Sequence, residues 1–398
     1  MVKKVVVICY NYEPDQFPKE PDEGNRFYTY GFGGGVGKIF SKYLPECYEV
    51  EVWRLDGYVE RYYEKSYLGA KFRVFPSFHK KNVFDFSIKF LRELKKEVKK
   101  TDPILFVIHT HYWLAYQIAL LFKKSTIVTT HHGDWSPLFR IKIMKGLRKC
   151  KAYADILFEK ICFKNIDYVL TIDYKQVKYL QKMNPDIKYI IWSHGIDFNT
   201  MKPIPKPEAR KLLGWDPDKK YIFYVGKLYK YKQVDVLINI WKEIQKEKPE
   251  VELVMAGNSV NDPWEEYYDL ALASGVKLLG RVLNVELNKY YSAADVYVLM
   301  ALRDDYFGGT GISTLEALAC NTPVVSYALK NYIGENISLI GEIPETIEDT
   351  KNAILKVLDH PENYKNMRES VEKSYSVEAM VKRAENIFED IYKNRINK

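Results

Sequence analysis

Short apolar runs, each closed by glycine, histidine or a polar turn, recur along the chain, and stretches with apolar positions three and four apart fill the gaps between them. Runs rich in Val and Ile without alternation mark strands buried on both faces. In the first half they predict strands over 5–10, 50–55, 71–75, 104–108, 125–130, 167–172 and 187–193, with helices over 36–44, 86–99 and 114–122. After the proline-rich Lys202-Pro203-Ile204-Pro205-Lys206-Pro207, which reads as a semi-rigid linker, the rhythm restarts. Strands are predicted over 221–225, 251–256, 276–279, 294–300 and 323–325, and helices over 234–247, 264–273 and 285–292. Such βα alternation, twice over, predicts an α/β protein of two Rossmann-like domains facing a central cleft, 1–201 and 202–375.

Length agrees, since 398 residues exceed the usual single domain. Hydrophobic residues at 47% and charged ones at 28% describe a soluble chain with ample core. The net charge of +8, from 60 basic and 52 acidic residues, favours an anionic ligand or a peripheral contact with anionic lipid, and falls short of a nucleic-acid signature. The basic helical region 139–151, with Ile141, Met144 and Leu147 among its lysines and arginines, is the candidate for a membrane contact. Five cysteines without a C-x-x-C pair argue for a reduced, cytoplasmic chain and against zinc. The opening apolar run is too short for a signal sequence, and no run approaches the roughly 20 residues that span a bilayer.

Candidate chemistry concentrates at strand ends. Between Arg303 and Ser326 a glycine-rich turn (Gly308, Gly309, Gly311) leads into a helix beginning near Ile312, with Ser313 and Thr314 in its first turn and Glu316 soon after. The amides of Gly311, Ile312 and Ser313 can hold phosphate at the positive end of the helix dipole, while a carboxylate one turn on can accept from a ribose diol. The plainer alternative is a tight βα turn with Glu316 on a solvated helix face. Lys227 and Lys232 follow the strand 221–225, where they can neutralise a diphosphate. Near the start, Gly33-Gly34-Gly35-Val36-Gly37-Lys38 fails as a phosphate loop, because that motif needs glycine at 32 and a hydroxyl at 39, where Phe32 and Ile39 stand. Four of the 7 histidines end two successive strands: His109 and His111, then His131 and His132. His109 reads as a hydrogen-bonded loop residue, and the pair 131–132 as functional.

Together these motifs resemble a retaining glycosyltransferase of the GT-B fold, the family 4 or group 1 type. Gly34-Gly35-Val36-Gly37-Lys38 resembles its G-G-V-G-R loop, His131-His132-Gly133 its T-x-H-G loop, and Gly195-Ile196-Asp197 its N-G-V-D turn, with His194 for asparagine. Gly226-Lys227-Leu228 with Lys232 resembles G-R-L-x-x-x-K, and Glu316-Ala317-Leu318-Ala319 with Pro323-Val324-Val325 resembles E-A-M-A-x-G-x-P-V-V. Residues 376–398 resemble the closing helix that packs back on the first domain.

The resemblance implies a nucleotide-sugar donor held by Lys227, Lys232, Glu316, the 311–313 amides and Gly35. It implies His132 acting on the donor sugar, a glycan or lipid-linked hydroxyl acceptor, no cofactor and no metal. One departure stands out. Where the family carries a first glutamate, seven residues before Glu316's preceding neighbour, this chain has Gly308; Asp304 or Asp305 upstream is the candidate replacement. That departure favours one other reading, a non-catalytic nucleotide-sugar-binding protein; a nucleotide-sugar epimerase of the same architecture is a second, but the several acidic and basic groups such enzymes set around the sugar are not seen in this sequence.

Overall fold

The computed structural model describes residues 3–9, 32–67, 69–80, 85–131, 137–172, 174–193, 195–228, 232–257, 265–300 and 311–396. They form two compact units, Met1–Trp192 with Val381–Lys398, and Ser193–Met380.

The first unit is built on an eight-stranded sheet: β1 (Lys3–Cys9), β2 (Tyr48–Asp56), β3 (Tyr63–Tyr67), β4 (Ala70–Pro76), β5 (Ile104–Val107), β6 (Ile127–His131), β7 (Tyr168–Thr171) and β8 (Lys188–Ile191), in the order β3-β4-β2-β1-β5-β6-β7-β8. All pairs are parallel except β3 with β4. β1 shows why its run is unbroken: Val5, Val6, Val7 and Ile8 are all fully buried, because helices cover both faces of a parallel sheet. β3 was not legible in the apolar pattern. Its sequence, Tyr-Glu-Lys-Ser-Tyr, is that of a charged edge strand, paired through Glu64 and Arg73.

The second unit has a six-stranded parallel sheet of β9 (Lys220–Val225), β10 (Val251–Ala256), β11 (Lys277–Gly280), β12 (Val296–Leu299), β13 (Val324–Ser326) and β14 (Gly341–Glu342), in the order β11-β10-β9-β12-β13-β14. Strand order reverses beside β1 in the first sheet and beside β9 in the second. Ligands of doubly wound sheets bind at the carboxyl ends of strands at such switch points.

The boundaries differ from those expected at 201/202 and 375/376. Ile196, Phe198 and Met201 are buried in the core of the second unit, and Arg368 ties their segment down through the carbonyls of Met201 (2.6 Å) and Phe198 (2.9 Å). The proline-rich stretch is no free spacer either. Pro207 sits in the first turn of the helix Lys206–Leu213, where its missing N–H costs nothing. From that helix Arg210 reaches the buried Asp295 at 2.7 Å. Asp295 also accepts from the amide of Tyr221, so helix, β9 and the start of β12 share one carboxylate.

The last helix, Val377–Ile396, divides its contacts. Its first residues belong to the second unit, where Gly195 donates to Met380 at 3.2 Å and Ile196 donates to the carbonyl of Tyr375 at 2.7 Å. A side chain at 195 would collide with the Val377 backbone at 2.7 Å, which explains the glycine. In the first unit Phe388 packs edge-on against Phe40 and Phe106, and the Tyr392 hydroxyl bonds both polar groups of the Lys4 backbone.

Candidate active site

In the second unit the sequence candidates gather around the β9/β12 switch point. β9 ends at Val225, and Gly226, Lys227 and Leu228 follow. Leu228 is buried while Lys227 is exposed, so the apolar residue anchors the turn and the lysine is turned outward. Lys232, half-buried, stands just before the helix Val234–Glu247. The strand end is tightly packed: a Cβ on Gly257 would lie 2.2 Å from the Gly226 carbonyl oxygen.

Beyond β12 the helix Ile312–Ala319 begins where expected, but its cap is not a hydroxyl. Gly311 occupies the cap with φ of 81°, a region costly for other residues, and an added Cβ would lie 3.2 Å from Leu299. Among the described residues no side chain caps this helix start. Ser313 is otherwise engaged, with the Tyr297 hydroxyl at 2.7 Å from its Oγ. That hydroxyl is also 3.4 Å from the Val225 carbonyl. Tyr297 thus ties the start of this helix to the end of β9.

Glu316 is 6% exposed, which excludes a solvated helix face. Oε1 accepts from Asn284 Nδ2 at 2.8 Å and Oε2 from the Tyr291 hydroxyl at 3.0 Å. Burial raises the carboxyl above its ordinary pKa, and the two hydrogen bonds draw it back down. Burial and the neighbouring carboxylate push the Tyr291 hydroxyl well above its ordinary value, so Tyr291 stays a donor. Asn284 lies exposed in the short turn Asn284–Glu286, forming the outer partner of a carboxylate whose inner oxygen is fixed from below. Asn284, Tyr291 and Tyr297 escaped sequence reasoning. They carry no spacing signal, and only the packing of β12 and its neighbours aims them at this helix.

In the first unit Gly35 and Gly37 lie in the helix Phe32–Tyr43 and serve different ends. A Cβ at Gly37 would be 2.1 Å from Val52 Cγ2, so that glycine lets the helix lie close on β2, whereas a Cβ at Gly35 meets none of the described residues within 4 Å. At the ends of β5 and β6 the histidines separate. His109 adopts a left-handed φ of 65°, with its amide donating to Thr130 Oγ1. His131, read as functional from sequence, is 1% exposed, and its Nε2 is 2.6 Å from His111 Nε2. Burial, with His111 and His109 adding to it, holds the His131 imidazole well below its ordinary pKa. His132, His194, Asp304 and Asp305 lie outside the described residues. Among the described residues no group of three or more His, Cys, Asp or Glu could hold a metal ion.

A pair of Rossmann-like units, one presenting lysines, a helix start at Gly311 and a buried carboxylate at its switch point, defines the GT-B class of nucleotide-sugar enzymes. Residues 39–200 match glycosyltransferase family 4 and residues 205–374 match the glycosyl transferases group 1 family, and the chain belongs to this family 4/group 1 type. It is similar to D-inositol 3-phosphate glycosyltransferase of Thermobispora bispora, 26% identical over 236 residues, 55% of this chain and 54% of the relative. The match therefore spans about half the length of that relative. Among solved structures it resembles sucrose-phosphate synthase from Thermosynechococcus elongatus (TM-score 0.72, 17% identity, 98% of this chain and 100% of that one). It also resembles Anabaena HepE in complex with UDP (TM-score 0.66, 12% identity, 98% and 100%).

Proposed function

We propose that this protein transfers a hexose from a nucleoside-diphosphate sugar to a hydroxyl acceptor with retention of anomeric configuration. The observation that carries the reading is the β9/β12 switch point, where Lys227, the Gly311 helix start and buried Glu316 occupy one sheet edge. Lys227 and Lys232 neutralise the diphosphate, the amides of Gly311, Ile312 and Ser313 hold its distal phosphate, and Glu316 accepts from the ribose diol. Fixed charges of this kind stabilise the departing diphosphate without reorganisation cost. The UDP complex of a protein with this fold supports UDP as the nucleotide. His132 acts at the sugar end of the donor, Gly35 leaves room for the ligand, and Asp304 or Asp305 contacts the sugar hydroxyls in place of the first glutamate. The leaving phosphate accepts the acceptor's proton.

The acceptor is a glycan or a lipid-linked hydroxyl. A lipid-side encounter is supported by the helix Gly146–Cys162, which extends the basic region read from sequence. Leu147 (88% exposed), Tyr153, Leu157 and Ile161 face outward on it, and its exposed charged residues are all cationic because Asp155 and Glu159 are buried. Apolar residues flanked only by cations suit an anionic membrane surface. Among the described residues no helix is long and apolar enough to cross a membrane.

A screen of UDP-, GDP- and ADP-sugars for thermal stabilisation and slow donor hydrolysis tests the reading. One nucleotide series should stabilise the protein and turn over, and His132→Ala should cut transfer by at least about a hundredfold while nucleotide affinity stays nearly intact. Binding without turnover across a broad acceptor panel would establish the non-catalytic alternative, which Gly308 in place of the first glutamate favours.

A further inference from the structure

The helix that carries Glu316 is only eight residues long, Ile312–Ala319, and a helix of about two turns has little stability of its own in water. Its place is set by what holds its two ends. The start is tied through Ser313 to Tyr297. At the other end the chain turns back through Cys320, Asn321 and Thr322, whose amides take up the carbonyls of Glu316, Ala317 and Leu318. The carbonyl of Ala319 accepts from Arg368 Nη1 at 2.9 Å. The last turn of the helix contains no basic residue, so Arg368 brings a cation to the negative dipole end from the neighbouring helix Met367–Tyr375.

The same guanidinium reaches a second stretch of chain. Nη1 also donates to the carbonyl of Met201 at 2.6 Å, Nη2 donates to that of Phe198 at 2.9 Å, and the group lies 4.8 Å from the Phe198 ring centroid. Phe198–Met201 belongs to the segment by which the chain enters the second unit at Ser193. The planar fork therefore fixes the end of the Glu316 helix against that segment, a geometry that the point charge of an ammonium does not reproduce. Glu316 lies in the turn that closes at Ala319. The residues just beyond also steady its inner donor: Thr322 Oγ1 donates to the Tyr291 carbonyl at 2.6 Å, and the Tyr291 hydroxyl donates to Glu316. The Arg368 amide joins this turn as well, donating to Asn321 Oδ1 at 3.1 Å.

We propose that Arg368 is a positioning residue for the donor, holding the turn that bears Glu316 in register with the ribose. The proposal rests on the reading above, in which Glu316 accepts from the ribose diol. A carboxylate that must meet two hydroxyls at hydrogen-bond distance tolerates little drift. Without the fork the loss falls on the ribose contacts, while the diphosphate keeps the lysines and the Gly311 helix start.

The test measures affinity by calorimetry for whichever of UDP, GDP and ADP most stabilises the full chain, and for its 2′,3′-dideoxy analogue. Arg368→Gln should weaken the ribose form about three- to tenfold and the dideoxy form by less than about twofold. The dideoxy arm also absorbs any general effect of losing one positive charge. Val371→Ala is the control for stability, since Val371 is fully buried on the same helix as Arg368. It should lower the melting temperature and leave both affinities within about twofold. In a Glu316→Gln background, adding Arg368→Gln should cost the ribose form less than about twofold more, because the group being positioned has already changed. If Arg368→Gln does not fold, Arg368→Lys keeps the charge but not the fork and should show the same ribose-selective loss. Equal losses for the two ligands, or losses that simply add to those of Glu316→Gln, would overturn the proposal and make Arg368 a purely structural tie. A wild type that binds both forms equally would defeat the ribose role of Glu316 itself, and that outcome is visible without any Arg368 variant.

Discussion

Replacing Glu316 by glutamine isolates its charge from its shape. Alanine would not, because it leaves the buried Tyr291 hydroxyl without its acceptor, at a cost of about 1–3 kcal/mol in stability. Glutamine keeps the volume and one carbonyl acceptor for Asn284 or Tyr291. Burial raises the Glu316 pKa in the folded chain, so its ionised form opposes folding. That penalty grows as pH rises from the unfolded carboxylate value through the raised folded one, and is absent in acid. Glu316→Gln should therefore melt no lower than wild type at neutral pH, and any gain should vanish in acid. Binding should move the other way. A hydrogen bond to a charged acceptor contributes about 1.5–3 kcal/mol against about 0.5–1.5 for a neutral one. Two ribose hydroxyls then lose about 2–3 kcal/mol, roughly 30- to 150-fold in Kd. Calorimetry with the nucleoside diphosphate that best stabilises the protein, and with its 2′,3′-dideoxy analogue, reads this directly. Wild type should prefer the ribose form strongly, and Glu316→Gln should prefer it roughly 30- to 150-fold less. Equal preference for the two sugars in wild type and variant would show that the carboxylate serves only Asn284 and Tyr291.

Lys227→Ala and Lys232→Ala should each weaken the nucleoside diphosphate about tenfold while leaving the bare nucleoside almost unaffected; equal losses for both ligands in a titration would make these lysines structural. Gly311→Ala should cost about 1–2 kcal/mol in denaturant unfolding, from its left-handed φ and the nearby Leu299, and should lower diphosphate affinity as the helix start shifts. Sedimentation with anionic vesicles at low salt should carry the protein down, zwitterionic vesicles should not, and Leu147→Asp with Leu157→Asp should abolish the effect; a wild type left in the supernatant refutes the membrane contact.

Much of the architecture is written in local patterns. Val5–Ile8, Ile222–Tyr224 and Val296–Leu299 have no polar interruption because both faces of a parallel strand lose water, so periodicity alone reveals them. The helix starting at Ile312 was equally legible, since the glycine that must adopt a positive φ is also the one that marks the turn. The candidate donor residues Lys227, Gly311 and Glu316 could be named from strand ends and from resemblance. Their surroundings could not. Tertiary packing makes Tyr297 the tie between Ser313 and the end of β9, brings Asn284 and Tyr291 onto Glu316, and buries His131 against His111, whose other nitrogen meets Glu159. Those partners lie 16 to 72 residues apart in sequence. A hydrogen bond across such a distance leaves no local periodicity, so only the order in which strands pair decides which polar groups share a buried space.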